Sequence, residues 1–452
     1  MTTLYCARWV LPVSLPPFAD GAIAVDGDRI ISVGERSALT KQFPHATVRD
    51  FDDSAIIPGL INTHSHLELT AMRGFLEGEE PDFFGWLKKL TIARLERMTA
   101  DDLNVSAAWG AGEAARSGVT CLADASSSAG ESMKALREIG LRGLVFQESF
   151  GPDPKLAQEN FEKLRAQIEV LRDRETGLVK CGVSPHAPYS VCGPQLKLIS
   201  KFAIDEGLSL MMHAAETEME VALLREGQGP FADGLRKRGI GWQAPGVSPI
   251  RYLKDHGILE TRPLLAHCIH IDQADMALLK QTGSKVAHCP KSNAKLGHGR
   301  APLRKLLDFG IEVGLGSDSV ASNNTCDLLE EARFGLLLSR SESGSGPPSR
   351  LIQAGEMLRT ATLGGARALN LEGQVGELRA GLQADFAILS LDSAHQIPSY
   401  DPAATLIFSS SARDVRLTVV AGKEIYRDGE LTTVDEPRLR ARMSEIAGKL
   451  QG

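Results

Sequence analysis

No Cys-x-x-Cys pair occurs in this sequence, although it holds seven cysteines: Cys6, Cys121, Cys181, Cys192, Cys268, Cys289 and Cys326. An odd count without metal-finger spacing, in a chain of 452 residues, excludes a disulfide scaffold and reads as a protein of the reducing cytoplasm. No apolar run is long enough to span a bilayer. The opening stretch MTTLYCARWVLPVSLPPFADG is broken by prolines and lacks a basic region followed by an uninterrupted apolar one, so it reads as a poor signal peptide. Long runs of like charge are missing too, and the net charge is -7, so neither nucleic acid nor an anionic membrane is expected as a partner. The absence of Gly-x-Gly-x-x-Gly argues against an open dinucleotide-binding sheet.

What is present is a long chain with 43% hydrophobic residues, enough for one large α/β domain and a smaller one. Residues 1–56 read as short strands and turns, with a hairpin in GAIAVDGDRIISVG around Asp26-Gly27-Asp28. Strand-and-turn texture returns in GELRAGLQADFAILSL and VRLTVVAGKEIYRDGEL, and EPRLRARMSEIAGKL reads as an amphipathic helix. Between these flanks, short apolar runs alternate with helical patterns. The runs are AIIPGLINTHSH, GVTCLADA, RGLVFQESF, VKCGVSPHA, LSLMMHAAE, PLLAHCIH, SKVAHCPKS and IEVGLGSDS. Eight strand-helix units in series predict a (β/α)8 TIM barrel. Ser339 to Ser349, rich in Gly, Ser and Pro, reads as a mobile excursion.

The histidines fall in a pattern. His64 and His66 end the first predicted strand, and two residues apart on a strand they share a face. His186, His213, His267 and His288 lie at or near the ends of the fourth to seventh strands, and Asp318 ends the eighth. Barrel enzymes build their sites at that rim. Three neutral imidazoles and a carboxylate suit a divalent transition metal, so His64, His66, His213 and Asp318 form the expected ligand set. Zn2+ is the expected ion, with Fe2+ or Mn2+ also compatible, and it would lower the pKa of a bound water. One metal is expected, because the fourth strand ends in His186 and Lys180 lies at its other end. Glu216, three residues past His213, is placed to carry a proton between water and substrate. The structural alternative is a helix-start glutamate. His267 is a candidate for holding the water or the developing oxyanion, against a core role. Asp318 is a candidate proton acceptor as well as a ligand. The other histidines read as solvated or structural, with His298 in KLGHGR a possible exception because its loop follows the seventh strand.

The motifs PGLINTHSH, HAAE, LLAHC, HCPKSN and GLGSDSVASNN together resemble the amidohydrolase superfamily, in its cytosine deaminase/chlorohydrolase branch. The resemblance covers nearly the whole chain. It implies that residues 1–56 and 372–452 join in a small composite β-sandwich beside a metal-dependent barrel of residues 57–371. SPHAPYSV is similar to a segment of adenosylhomocysteine and methylthioadenosine deaminases in which a histidine contacts the nucleoside, and His186 matches it. Glu68, the FFGWL segment around Trp86 and ETEMEVALLREGQGPFADGL resemble the aminodeoxyfutalosine deaminases of menaquinone biosynthesis. Glu68, Arg73, Trp86 and His186 are therefore the candidate substrate contacts.

The resemblance implies hydrolytic deamination of the 6-amino group of an adenine nucleoside, with release of ammonia. The rivals are hydrolysis or dechlorination of guanine, cytosine or a triazine-like ring, and a non-catalytic scaffold, which the retained ligand set opposes. The expected partner is a small heterocycle, and barrels of this kind are expected to self-associate.

Overall fold

The computed structural model describes residues 1–342 and 351–451. The expected series of parallel strands is present as β1 (Leu60–Ser65), β2 (Val119–Ser126), β3 (Arg142–Ser149), β4 (Val179–Pro185), β5 (Met211–Ala214), β6 (Leu264–His267), β7 (Lys285–His288) and β8 (Val313–Leu315). They form two four-stranded parallel sheets, β1–β4 and β5–β8. Parallel bridges join the two at both seams. Val183 pairs with Leu210 between β4 and β5, and Ser65 pairs with Asp318 between β1 and the turn after β8. The ring is thereby closed, and the second bridge sets Asp318 beside the histidines of β1. Every residue of β2 and β3 is buried, as strands covered on both faces must be.

The flanks meet in one continuous nine-stranded sheet. Ser54–Pro58 is its hinge piece. It runs parallel to Thr3–Val10 on one side and antiparallel to Phe386–Ser390 on the other. Alternation divides the faces of Thr3–Val10. Tyr5 and Ala7 join Ile23, Ile56, Phe386 and Leu417 in one cluster, while Leu4 and Cys6 pack with Leu39 on the opposite side. The Asp26-Gly27-Asp28 hairpin is present, with Gly27 at φ +59°. The last helix runs from Glu436 to Gln451.

The stretch AIIPGLINTHSH differs from its sequence reading as a single strand. It is two strands in two different sheets, broken at Gly59. A Cβ on Gly59 would lie 2.0 Å from Thr120 Oγ1, so glycine is what lets the chain leave one sheet and enter the other. Most of the predicted excursion at Ser339 to Ser349 lies outside the described residues. Its first residues finish the helix Leu328–Glu342.

One buried ion pair ties the bottom of the barrel to the flanking sheet. Arg142 donates from Nε to Asp385 Oδ2 at 2.9 Å and from Nη2 to Oδ1 at 3.1 Å, and Ala421 N also donates to Oδ1. Replacing Arg142 by Met strands the Asp385 carboxylate in a site where it is wholly buried. The expected cost is about 3–5 kcal/mol, read by urea unfolding. A loss below about 1 kcal/mol would mean that water reaches the pair.

Candidate metal centre and active site

All of the rim residues are delivered by strand ends or by the turns just after them. His64 and His66 come from the end of β1, His186 follows β4, His213 lies in β5, His267 ends β6, and Asp318 follows β8. The backbone is bent where side chains must turn inward. Ala215, His267, Cys268 and Asp318 all have positive φ, at +52°, +73°, +48° and +57°. Non-glycine residues hold such angles only where their surroundings enforce them, and such positions cluster at functional sites.

The donor atoms converge. Those of His64, His66 and His213 lie within 4.8 Å of one another, as do those of His64, His267 and Asp318. His66 Nε2 is 3.2 Å from His213 Nε2, and His64 Nε2 is 3.3 Å from Asp318 Oδ1. The far side of each ring sets its tautomer. His213 Nδ1 donates to the His186 carbonyl at 2.8 Å, and His66 has a backbone hydrogen bond to Ala125. With Nδ1 protonated in both, the two Nε2 atoms face each other as bare lone pairs. That contact is repulsive unless a cation lies between them. His64 Nε2 and His267 Nε2 are likewise buried with no hydrogen-bond partner among the described residues.

Burial holds the His64 ring down to about 3 and keeps His66, His186 and His213 below the ordinary histidine range. Neutral imidazoles are the form a metal needs. Burial pushes Asp318 upward, but its close approach to His64 Nε2 at 3.3 Å, with His267 and His66 beside it, outweighs that and holds the carboxyl well below its usual range. Its Oδ2 accepts from Ser292 Oγ at 2.5 Å and Ser322 Oγ at 3.2 Å, while Oδ1 accepts from Ser319 N at 2.7 Å. This donor set of imidazoles and one carboxylate, with fixed outer hydrogen bonds, fits a divalent transition metal.

Glu216 stands over the cluster. Its Oε1 lies 3.8 Å from His267 Nε2 and 3.3 Å from His298 Nδ1. Burial would raise its pKa, but His267 and His298 outweigh that and draw it down to about 2. Glu216 therefore stands as an ionised carboxylate. The turn that carries it is held by buried Glu220, whose carboxylate accepts from Ala215 N and Glu216 N.

The candidate substrate contacts do not all come to this mouth. His186 does: its ring centroid is 4.7 Å from that of His213, and its Nδ1 is 2.8 Å from Ser190 Oγ. Trp86 lies a layer behind, stacked on Phe83, with its buried Nε1 unpartnered among the described residues. Phe83 in turn meets His298 edge-on at 4.4 Å. Glu68 is buried and engaged: Arg94 Nε donates to Oε1 at 2.8 Å, and Ser126 Oγ and Ser128 N donate to Oε2. Arg73 turns away to pair with Glu113. Both pairs explain what those residues do in the fold without any substrate.

Several partners had no role assigned from sequence. Asn293 Oδ1 accepts from His267 Nδ1 at 2.8 Å, which leaves the Nε2 of that ring toward the site. Ser292 and Asn293 lie in the HCPKSN motif, but the motif alone does not say which side chain each one meets. Glu148 is buried with its donor oxygen near His186 and His213, and burial raises it to about 7. His288 sits at the rim but outside all three donor groups, and burial lowers it to about 4. An unfolded histidine protonates near 6.5, so between about 6.5 and 4 the unfolded chain binds the extra proton. His288 therefore removes up to roughly 3 kcal/mol of stability as pH falls through that window and nothing above it. Unfolding curves of wild type and His288→Asn should diverge in slope only in that window. Parallel slopes throughout would show that the ring is not held neutral.

An eight-stranded parallel barrel with imidazole and carboxylate donors gathered at its C-terminal mouth defines the class: a barrel protein with a metal-type site. The match extends to family level. The Amidohydrolase family model covers residues 55–425, and the chain belongs to that family. A bacterial imidazolonepropionase-like composite domain matches residues 21–46, within the flanking sheet. A 5-methylthioadenosine/S-adenosylhomocysteine deaminase of Pelotomaculum thermopropionicum is 31% identical over 434 residues, 96% of this chain and 94% of that protein. Its namesake in Symbiobacterium thermophilum is 32% identical over 439 residues, 96% and 95% of the two chains. The zinc-bound crystal structure of an adenosine deaminase from Xanthomonas campestris superposes with a TM-score of 0.87 at 25% identity, covering 99% of this chain and 98% of that one. Among the described residues, no helix is long and apolar enough to cross a membrane.

Proposed function

We propose that the protein is a zinc-dependent hydrolytic deaminase that converts the 6-amino group of an adenine nucleoside to 6-oxo and releases ammonia. The observation that carries this is the meeting of bare imidazole nitrogens and the Asp318 carboxylate directly beneath an ionised Glu216. The adenine-nucleoside names of its relatives, and the zinc in the Xanthomonas campestris structure, support the choice of substrate and ion.

His64, His66, His213 and Asp318 would hold the metal, whose chemistry is to acidify water at neutral pH. Glu216 then takes a proton from the water and delivers it to the ring nitrogen beside the attacked carbon. His267, its Nδ1–H held by Asn293, presents a bare Nε2 that accepts a hydrogen bond from the attacking water. Asp318, steadied by its hydrogen bonds from Ser292 and Ser322, accepts the second proton and gives it up to the amino nitrogen, which leaves as ammonia when the carbon–nitrogen bond breaks. His186, beside His213 at the mouth, is the substrate contact that the geometry favours over Arg73.

The side group of the nucleoside is settled by competition. Methylthioadenosine, adenosylhomocysteine, aminodeoxyfutalosine and adenosine, mixed in equal amounts, should lose their adenine absorbance at different rates. One of the first three should lead. Preference for guanine or a chlorotriazine over all four would overturn the nucleoside reading.

A further inference from the structure

One turn reaches three of the reactive groups at once. From the segment Pro290 to Gly299, Ser292 holds Asp318, Asn293 holds His267, and His298 faces Glu216. The first two are ordinary supporting hydrogen bonds. His298 is different. It is 8% exposed, yet neither ring nitrogen has a well-aligned hydrogen bond among the described residues. A histidine kept for structure alone normally satisfies a nitrogen on the backbone, as half-buried His256 does with Nδ1 on the Tyr252 carbonyl at 2.8 Å. The chain is also shaped to aim this ring. Gly297 and Gly299 flank it at φ +69° and +106°, and His298 N donates to the Asn293 carbonyl at 2.9 Å. Phe83, edge-on at 4.4 Å, closes off the other side.

We propose that His298 is a positioning residue for Glu216: its Nδ1–H holds Oε1, so that Oε2 is the oxygen that takes the proton and passes it on. The 3.3 Å separation is within reach of a hydrogen bond that becomes aligned when substrate closes the site. Without it, the carboxylate is free to rotate about its last bond, and the oxygen that must reach both water and ring nitrogen is no longer fixed. The inference rests on the deaminase reading only in that Glu216 moves a proton. Any hydrolysis at this mouth that uses Glu216 would need the same restraint.

The experiment compares wild type with His298→Ala and His298→Asn. The asparagine amide nitrogen can stand where Nδ1 stood. His298→Ala should lower kcat roughly 10- to 100-fold with KM changed by less than about threefold, and His298→Asn should recover to within about fivefold of wild type. A purely structural role would lower the unfolding midpoint and would not be rescued by Asn. An alanine variant with wild-type kcat, or an asparagine variant as slow as alanine at an unchanged unfolding midpoint, overturns the proposal. If wild type ignores adenine nucleosides but turns over another heterocycle, the deaminase reading fails and the same kcat comparison on that substrate decides His298. A substrate-free arm stands alone: nitrogen-15 histidine-ring spectra of wild type and Glu216→Gln. The His298 Nδ1–H resonance should shift strongly on loss of the carboxylate, and an unchanged resonance overturns the proposal.

Discussion

Glu216→Gln should lose about 10²- to 10⁴-fold in kcat while keeping its metal and its unfolding midpoint. The size of the effect follows from what the amide cannot do. Glutamine fills the same space and still reaches His298, but it cannot accept a proton. Burial alone would push the carboxyl toward its neutral form. The facing rings of His267 and His298 reverse that and hold it down to about 2, so the wild-type group stands ionised, with the lone pairs that a glutamine amide cannot offer to a proton. Substrate should still bind, so KM should move little, because the lost interaction matters chiefly at the transition state. Equilibrium binding of substrate to the inactive variant and metal analysis of the same sample complete the measurement. A Gln variant with near-normal kcat would remove Glu216 from the chemistry.

Removing the metal should abolish turnover altogether and lower the unfolding midpoint, with zinc restoring both. The stability effect has a clear origin. An ion bound only by the folded state stabilises it by about 4 kcal/mol when free metal is a thousandfold above its dissociation constant. The metal-free site must also tolerate His66 Nε2 and His213 Nε2 at 3.2 Å with no hydrogen between them. Chelation should therefore separate those rings or draw a proton into the gap. Replacing His64, the most buried of the set, by Ala should reproduce the chelated state and resist rescue by added zinc. Full activity after exhaustive chelation would contradict the assignment of the donor set.

Much of this site is legible in the sequence because its spacing is short. His64 and His66 share a face by strand periodicity, and rim histidines repeat at the ends of successive apolar runs. Barrel topology then brings residues far apart in sequence together without any further information. What is not legible is whatever depends on which side chain crosses the gap. Glu68 and Arg73 stand in a suggestive motif, yet Arg94 and Glu113 take them, and nothing in HSHLELTAMRG names those partners. Asn293 and Glu220 act through contacts fixed only once the barrel has closed. The break at Gly59 was hidden for a related reason. AIIPGLINTHSH is apolar throughout because it passes from one buried sheet to another, so hydrophobicity does not change where the strands do.

The central claim is that water replaces an amino group on an adenine ring. Its most direct test is a reaction in oxygen-18 water with zinc-loaded protein and the leading adenine nucleoside. Ammonia and the mass of the purine product are measured together. One ammonia per ring consumed and a 6-oxo product carrying one oxygen-18 are expected. Adenine nucleoside left intact while chloride or an alkylamine is released from a triazine would contradict it.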